Sequence, residues 1–278
     1  MEWYRHKLTI PKGKRALFIG DLHGDTAIVD RAMLLYKNFY LVFLGDFLDS
    51  FDYGPRKQID VLESVLSLVK QGFAYSLIGN HELSYLYPDR MKASGYNSAT
   101  ASLMLTHRND MLNILKPFFV LETQDRPIVI THAGITLDYW NGLGMGDDSI
   151  NARLNHLTET ARNIDGRFYA VGHARGGSAR VPGPMWCAWH AEFKPIEAIQ
   201  QIVGHSCSWQ SKTRWFKEDV WIDNLSDGML KSQPNMPNIH KLIRMARDNG
   251  DMNIDCLQHN SVGLMYDPGM ELFSPWVI

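Results

Sequence analysis

Cysteine is scarce. Cys187, Cys207 and Cys256 are the only three in 278 residues, and no two of them form a C-x-x-C pair. An odd, widely spaced set argues against a disulfide framework and fits a reducing cytosol. Long apolar runs are missing too: no stretch approaches the ~20 residues that cross a bilayer, and residues 1–15 lack the apolar core of a secretory leader. Charge of one sign is equally absent. The formal net charge is −2 and Lys and Arg form no block, so neither a general nucleic-acid binder nor a membrane-surface binder is expected. Repeats and low-complexity tracts are not found. The expectation is a cytoplasmic protein, with nothing said about its oligomeric state.

What the chain has is apolar residues, 45% of the total, enough for one large α/β domain over 1–278. Residues 15–19 (RALFI), 40–44 (YLVFL), 73–78, 127–131 (PIVIT) and 199–203 read as short buried strands, and 219–222 as a sixth. Between the first three lie two amphipathic patterns. One carries Ile28, Ala32, Leu35 and Tyr36 on a single face, and the other runs over 58–69 with Ile59, Leu62, Val65, Leu66 and Val69. That alternation is the pattern of βαβ units and a parallel sheet. Residues 98–115 and 149–163 read as helical, the latter capped by Ser149 or Asn151, and 239–247 is a further candidate helix. Residues 175–195, rich in Gly, Pro and Trp, form an extended loop segment rather than a linker.

Five of the strands hand over at their C-terminal ends to a metal-binding side chain. The segments are Gly20-Asp21-Leu22-His23-Gly24, Gly45-Asp46-Phe47-Leu48-Asp49, Gly79-Asn80-His81-Glu82, Thr131-His132-Ala133-Gly134 and Gly204-His205. In open α/β sheets, ligands bind outside the carboxyl ends of strands, and a glycine before the ligand lets the backbone turn sharply there. Carboxylate, imidazole and amide donors suit Mn²⁺, Fe or Zn²⁺. Singly, each segment is equally well read as a helix-capping loop residue. Together and in this order they are not.

This order of motifs resembles the calcineurin-like metallophosphoesterases, closest to their PPP-type and phage-type phosphatase branch, over about residues 17–223. The resemblance implies a four-layer αββα sandwich with a dinuclear metal site at one end of its two sheets. It implies that Asp21 and His23 bind the first of two divalent metal ions, that Asn80, His132 and His205 bind the second, and that Asp46 bridges them. Mn is the first choice, with Fe or Zn as alternatives. Two cations ~3.5–4 Å apart need such an anionic bridge, and together they clamp a phosphate and acidify a water. His81 is then expected as the general acid for the leaving group, with Asp49 orienting its ring.

The chain also departs from the family. The second motif usually continues Asp-Arg-Gly, but here it reads Asp49-Ser50-Phe51, and Ile78 stands where PPP-type enzymes carry arginine. Arg175 is the candidate replacement for contacting substrate phosphate, with Arg180 and Arg56 behind it. Gly172-His173 competes with Gly204-His205 for the fifth motif, and His205 is preferred because it lies between the Trp-rich segment and residues 221–223. Cys207 stands where many relatives have a second histidine, and is read as a buried thiol rather than a ligand. Trp186, Trp189, Trp209 and Trp215 are assigned to packing, since Lys194, Lys212 and Arg214 are too few to support a stacking platform for single strands.

The expected activity is hydrolysis of phosphomonoesters, on a phosphoprotein or a small phosphate ester. The first alternative is a phosphodiesterase or dinucleoside polyphosphate hydrolase, because a diester presents less charge to neutralise. The second is a non-catalytic metal-binding scaffold.

Overall fold

A computed structural model of the chain describes residues 6–144, 149–189, 191–206, 252–253, 262–269 and 272–277. The expected strand 219–222 and helix 239–247, and Cys207, Cys256, Trp209, Trp215, Lys212 and Arg214, lie outside these described residues.

The N-terminal half alternates strand and helix: β1 (Arg15–Ile19), α1 (Thr26–Leu35), β2 (Phe39–Phe43), α2 (Pro55–Lys70), β3 (Ala74–Ser76) and α3 (Asn80–Leu86). Local chemistry sets the boundaries. Asp25 caps α1 by accepting the N–H groups of Ala27 and Ile28 at 2.9 and 3.4 Å. Pro55 opens α2 at a position where its missing N–H costs nothing. The middle follows with α4 (Ser98–Met104), α5 (Arg108–Ile114), β4 (Phe118–Leu121), β5 (Ile128–Thr131), α6 (Leu137–Asn141) and α7 (Ile150–Thr160). Of the two caps weighed for α7, Ser149 is the one that accepts the Ala152 N–H. Last come β6 (Gln200–Val203), β7 (Met252–Asn253), β8 (Val262–Asp267) and β9 (Leu272–Val277).

The strands form two sheets, ordered β3-β2-β1-β8-β9 and β4-β5-β6-β7. The expected parallel pairing holds for β1 with β2, β2 with β3 and β5 with β6. Both sheets are nevertheless mixed, because β8 and β4 add antiparallel to β1 and β5. Ahead of Gly172-His173 the chain makes a turn of 3₁₀ helix over Arg167–Tyr169.

Alternation along the strands explains the layering. Ala16 and Phe18 of β1 and Val42 of β2 point inward to Phe119, Ile130, Ile202, Leu264 and Tyr266, forming the core between the sheets. Leu17, Ile19, Leu41 and Phe43 point the other way, into a core shared with Ile28, Val29, Ile59, Leu62 and Val65 of α1 and α2. The outward Phe118, Val120 and Val129 of the second sheet join Leu154, Leu157, Phe168 and Trp186. The result is an αββα sandwich. Each fully buried Phe or Leu in these layers contributes about 1.5–3 kcal/mol relative to exposure. Among the described residues no helix is long and apolar enough to cross a membrane.

Candidate metal centre

β1, β2 and β3 of one sheet and β5 and β6 of the other end at the same edge of the sandwich, and each delivers one of the predicted segments there. Asp46 sits at the middle. Its carboxylate belongs to two groups whose donor atoms lie within 4.8 Å of one another, one with His23 and His81, the other with His132 and His205. Asp21 and Asn80 adjoin them: Asp21 Oδ2 is 4.0 Å from His23 Nε2, and Asn80 Oδ1 is 2.8 Å from His132 Nε2. All six predicted ligands are thus brought together.

The backbone carries strain at this place. Among the described residues, the non-glycine residues with left-handed φ are His23 (43°), Asp46 (55°), Asp49 (62°) and His205 (67°), all in the ligand loops. Such conformations persist where the surroundings over-determine them, and they cluster at functional sites. The glycines before the predicted ligands divide between two roles. Gly45 does turn, with φ 101°. Gly79 and Gly204 instead make room: a Cβ on Gly79 would lie 2.0 Å from Asp46 Oδ1, and one on Gly204 would lie 2.5 Å from Asp21 Oδ1.

The imidazoles are aimed by carbonyls. His132 Nδ1 lies 2.8 Å from the Leu44 carbonyl and His23 Nδ1 lies 2.8 Å from that of Leu48. A carbonyl can only accept, so Nδ1 carries a proton in each ring, and in the neutral form Nε2 presents a lone pair. His132 Nε2 faces Asn80 Oδ1 at 2.8 Å, Asp46 Oδ2 at 3.2 Å and His205 Nδ1 at 3.2 Å. A ring nitrogen lone pair facing amide and carboxylate oxygens at such distances calls for a cation between them. Among the described residues His205 Nε2 is buried with no hydrogen-bond partner, a further sign of a donor set short of its guest. The donors present therefore fit a pair of divalent cations sharing Asp46.

Burial raises the carboxyl of Asp46, but the charges of His132 and His81 overcome this and hold it well below the usual range. Burial lowers His205, and the charges of His132 and Arg175 lower it further. His81 is subject to opposed influences. Burial alone would lower it, yet the Asp46 charge and the Asp49 bond and charge raise it to about 9. Its Nδ1 is 2.8 Å from Asp49 Oδ2 and its Nε2 is 3.8 Å from Asp46 Oδ2.

Two residues of the site escaped the sequence reading. Glu82 is fully buried, and its carboxylate accepts the N–H groups of Asp46, Phe47 and Gly79 at 2.8, 2.8 and 3.0 Å, fixing the backbone that carries the Asp46 side chain. Burial, then the Asp46 charge, push its carboxyl up to about 7 against those bonds. The glutamate three residues after the start of a helix is a reach-back signal in sequence, but its long-range partners are not. Tyr85 is the other, bonded to Asp49.

Arg175 lies on a 3₁₀ turn over His173–Arg175 and donates from Nη2 to Ser206 Oγ at 2.9 Å, beside His205. Arg56 is held by Asp60 and Glu63 at 2.8 and 2.9 Å, and Arg180 is exposed. His173 is exposed, 3.2 Å from the Gly177 carbonyl, and joins neither donor group. Trp186 and Trp189 are both buried, the first with its ring edge-on to His205 at 6.2 Å and the second stacked on Phe193 at 3.8 Å. Cys187 is a buried free thiol raised by burial.

No curated protein sequence matches the chain. Among solved structures, a candidate diadenosine tetraphosphatase is 15% identical over 98% of each chain with a TM-score of 0.44. Hypothetical protein PH1004 from Pyrococcus horikoshii OT3 is 10% identical over 95% of this chain and 87% of its own, at 0.45. An archaeal phosphodiesterase is 12% identical over 95% and 99%, at 0.35. The assignment rests instead on the sequence profile of the calcineurin-like phosphoesterases, which matches residues 14–208, well over half of the chain. The chain belongs to the calcineurin-like phosphoesterase family.

Proposed function

We propose that this protein is a dinuclear-metal-dependent phosphatase that hydrolyses phosphomonoesters, built as a single domain. The observation that carries the reading is that Asp46 is common to two separate donor groups. In this reading Asp21, His23 and Asp46 hold one cation, and Asp46, Asn80, His132 and His205 hold the other, with Mn²⁺ preferred and Fe or Zn as alternatives. When bound, such a pair supplies Lewis acidity, offsetting phosphate charge and acidifying water.

The chain's own groups do the rest. Asp49 engages His81 Nδ1 at 2.8 Å, which turns Nε2 toward the site, and in this reading that nitrogen serves as the acid rather than as a ligand. From Nε2 the proton passes to the leaving oxygen as the phosphorus–oxygen bond breaks. Arg175, tethered to Ser206 beside His205, contacts the phosphate. The buried loops around Asp46 exclude bulk water and strengthen these interactions.

A second reading, a phosphodiesterase or dinucleoside polyphosphate hydrolase, is favoured by Ser50 and Ile78 standing where arginines would meet a dianionic group, and by the engagement of Arg56 with two carboxylates. Hydrolysis of p-nitrophenyl phosphate and of its bis-ester in Mn²⁺, by the wild type and by Asp46→Asn, tests both readings. The monoester is expected to be the faster substrate, and Asp46→Asn to lose turnover and bound metal. A faster bis-ester selects the second reading. Unchanged turnover and metal in Asp46→Asn would overturn the site itself.

A further inference from the structure

The mechanism above uses one oxygen of the Asp49 carboxylate. The other is also engaged. Asp49 Oδ2 meets His81 Nδ1 at 2.8 Å, while Asp49 Oδ1 accepts the hydroxyl of Tyr85. His81 and Tyr85 are four residues apart on α3 and so share one face of that helix. The carboxylate, only 3% exposed, is gripped from both ends by the same helix.

The tyrosine is itself held. Its hydroxyl oxygen accepts the Asn97 N–H at 3.1 Å, which occupies a lone pair and leaves the hydroxyl proton for Asp49. Its ring stacks on Tyr96, with centroids 4.8 Å apart and planes at 21°. The segment carrying these partners is fastened to α3 where the Ala93 N–H meets Ser84 Oγ at 2.7 Å. It passes close to Asp49 at Gly95, where a Cβ would come within 3.1 Å of the Asp49 Cβ. The carboxylate therefore has no freedom to rotate so long as Tyr85 keeps its hydroxyl.

We infer that Tyr85 is a positioning residue for proton transfer: through Asp49 it fixes the orientation of the His81 ring, and with it the aim of Nε2 at the leaving oxygen. This rests on the reading of His81 as the general acid. Without the hydroxyl, one buried carboxylate oxygen loses its donor. Asp49 turns toward other donors, and His81 loses the alignment that a buried carboxylate gives a catalytic imidazole. Turnover suffers only where the leaving group needs a proton.

The test is Tyr85→Phe, which keeps the ring and its stack, measured on an alkyl ester and on a dinitrophenyl ester of whichever class, mono- or diester, the protein turns over. The dinitrophenolate departs without a proton. On the alkyl ester kcat is expected to fall about tenfold, a modest share of a general acid's effect, with KM and bound metal unchanged. On the dinitrophenyl ester it stays within twofold. In a His81→Asn background the same change is expected to add nothing. The ratio of the two rates does not depend on how much of the variant folds. Equal losses on both esters, no loss on either, or a further loss on top of His81→Asn would overturn the inference. If His81→Asn itself shows no leaving-group selectivity, the general-acid reading falls and the inference with it. If His81→Asn shows it and Tyr85→Phe does not, only the role of Tyr85 falls.

Discussion

Asp46 Oδ1 occupies the space beside Gly79 so closely that a β-carbon on the glycine would lie 2.0 Å from it. The same oxygen accepts the His81 N–H at 2.9 Å. The Asp46 side chain of one loop thus seats directly on the backbone of the next, and the missing side chain at 79 is what lets the loops after β2 and β3 come together.

Gly79→Ala is accordingly expected to push the Asp46 carboxylate out of place. Overpacking at such a contact costs about 1–3 kcal/mol of folding stability, read by chemical denaturation, and bound metal should drop in elemental analysis of the purified variant. A variant with full metal content and wild-type turnover would show that the contact does not govern the site.

Glu82→Gln probes the support beneath Asp46. A carboxylate accepts from Asp46, Phe47 and Gly79 at once, whereas an amide turns a donor toward one of those N–H groups. Groups that orient metal ligands typically cost about 10–100-fold in metal affinity or activity when replaced. A loss in that range is expected in a titration with Mn²⁺. Affinity within a factor of two of wild type would restrict Glu82 to folding.

Ser50→Arg restores the arginine that relatives carry after the second motif. Ser50 Oγ accepts the N–H groups of Asp52 and Tyr53, both at 3.1 Å, so the change removes two turn bonds worth about 0.5–1.5 kcal/mol each while placing a cation next to Asp49. A monoester carries more negative charge than a diester and gains more from it. The ratio of monoester to diester kcat/KM is expected to rise severalfold, with a slightly lowered Tm. A ratio that stays put would mean that this loop does not face the phosphate.

The site was more legible than the frame around it. Short apolar runs ending in glycine and a ligand are local signals, and β1, β2, β3, β5 and β6 follow them closely. α2 begins at Pro55, three residues before the periodic pattern over 58–69, because a first-turn proline marks a helix start that periodicity alone misses. β4 was not assigned: Phe118–Leu121 is a continuous apolar run buried on both faces, which carries no period. Glu82 and Tyr85 stayed hidden for another reason. Their partners, Asp46 and Asp49, are 36 residues away in sequence, so their roles follow from tertiary contact rather than from spacing.

The pairing of β1 with β8, Phe18 opposite Leu264, bears on how the protein is made. On the ribosome, the strand that delivers Asp21 emerges early but lacks its second neighbour until residues 262–267 have been synthesised. Until then the sheet is open at β1, and an open strand edge is a template for misdirected pairing. Closure of the first sheet is therefore a late event in the biogenesis of this protein.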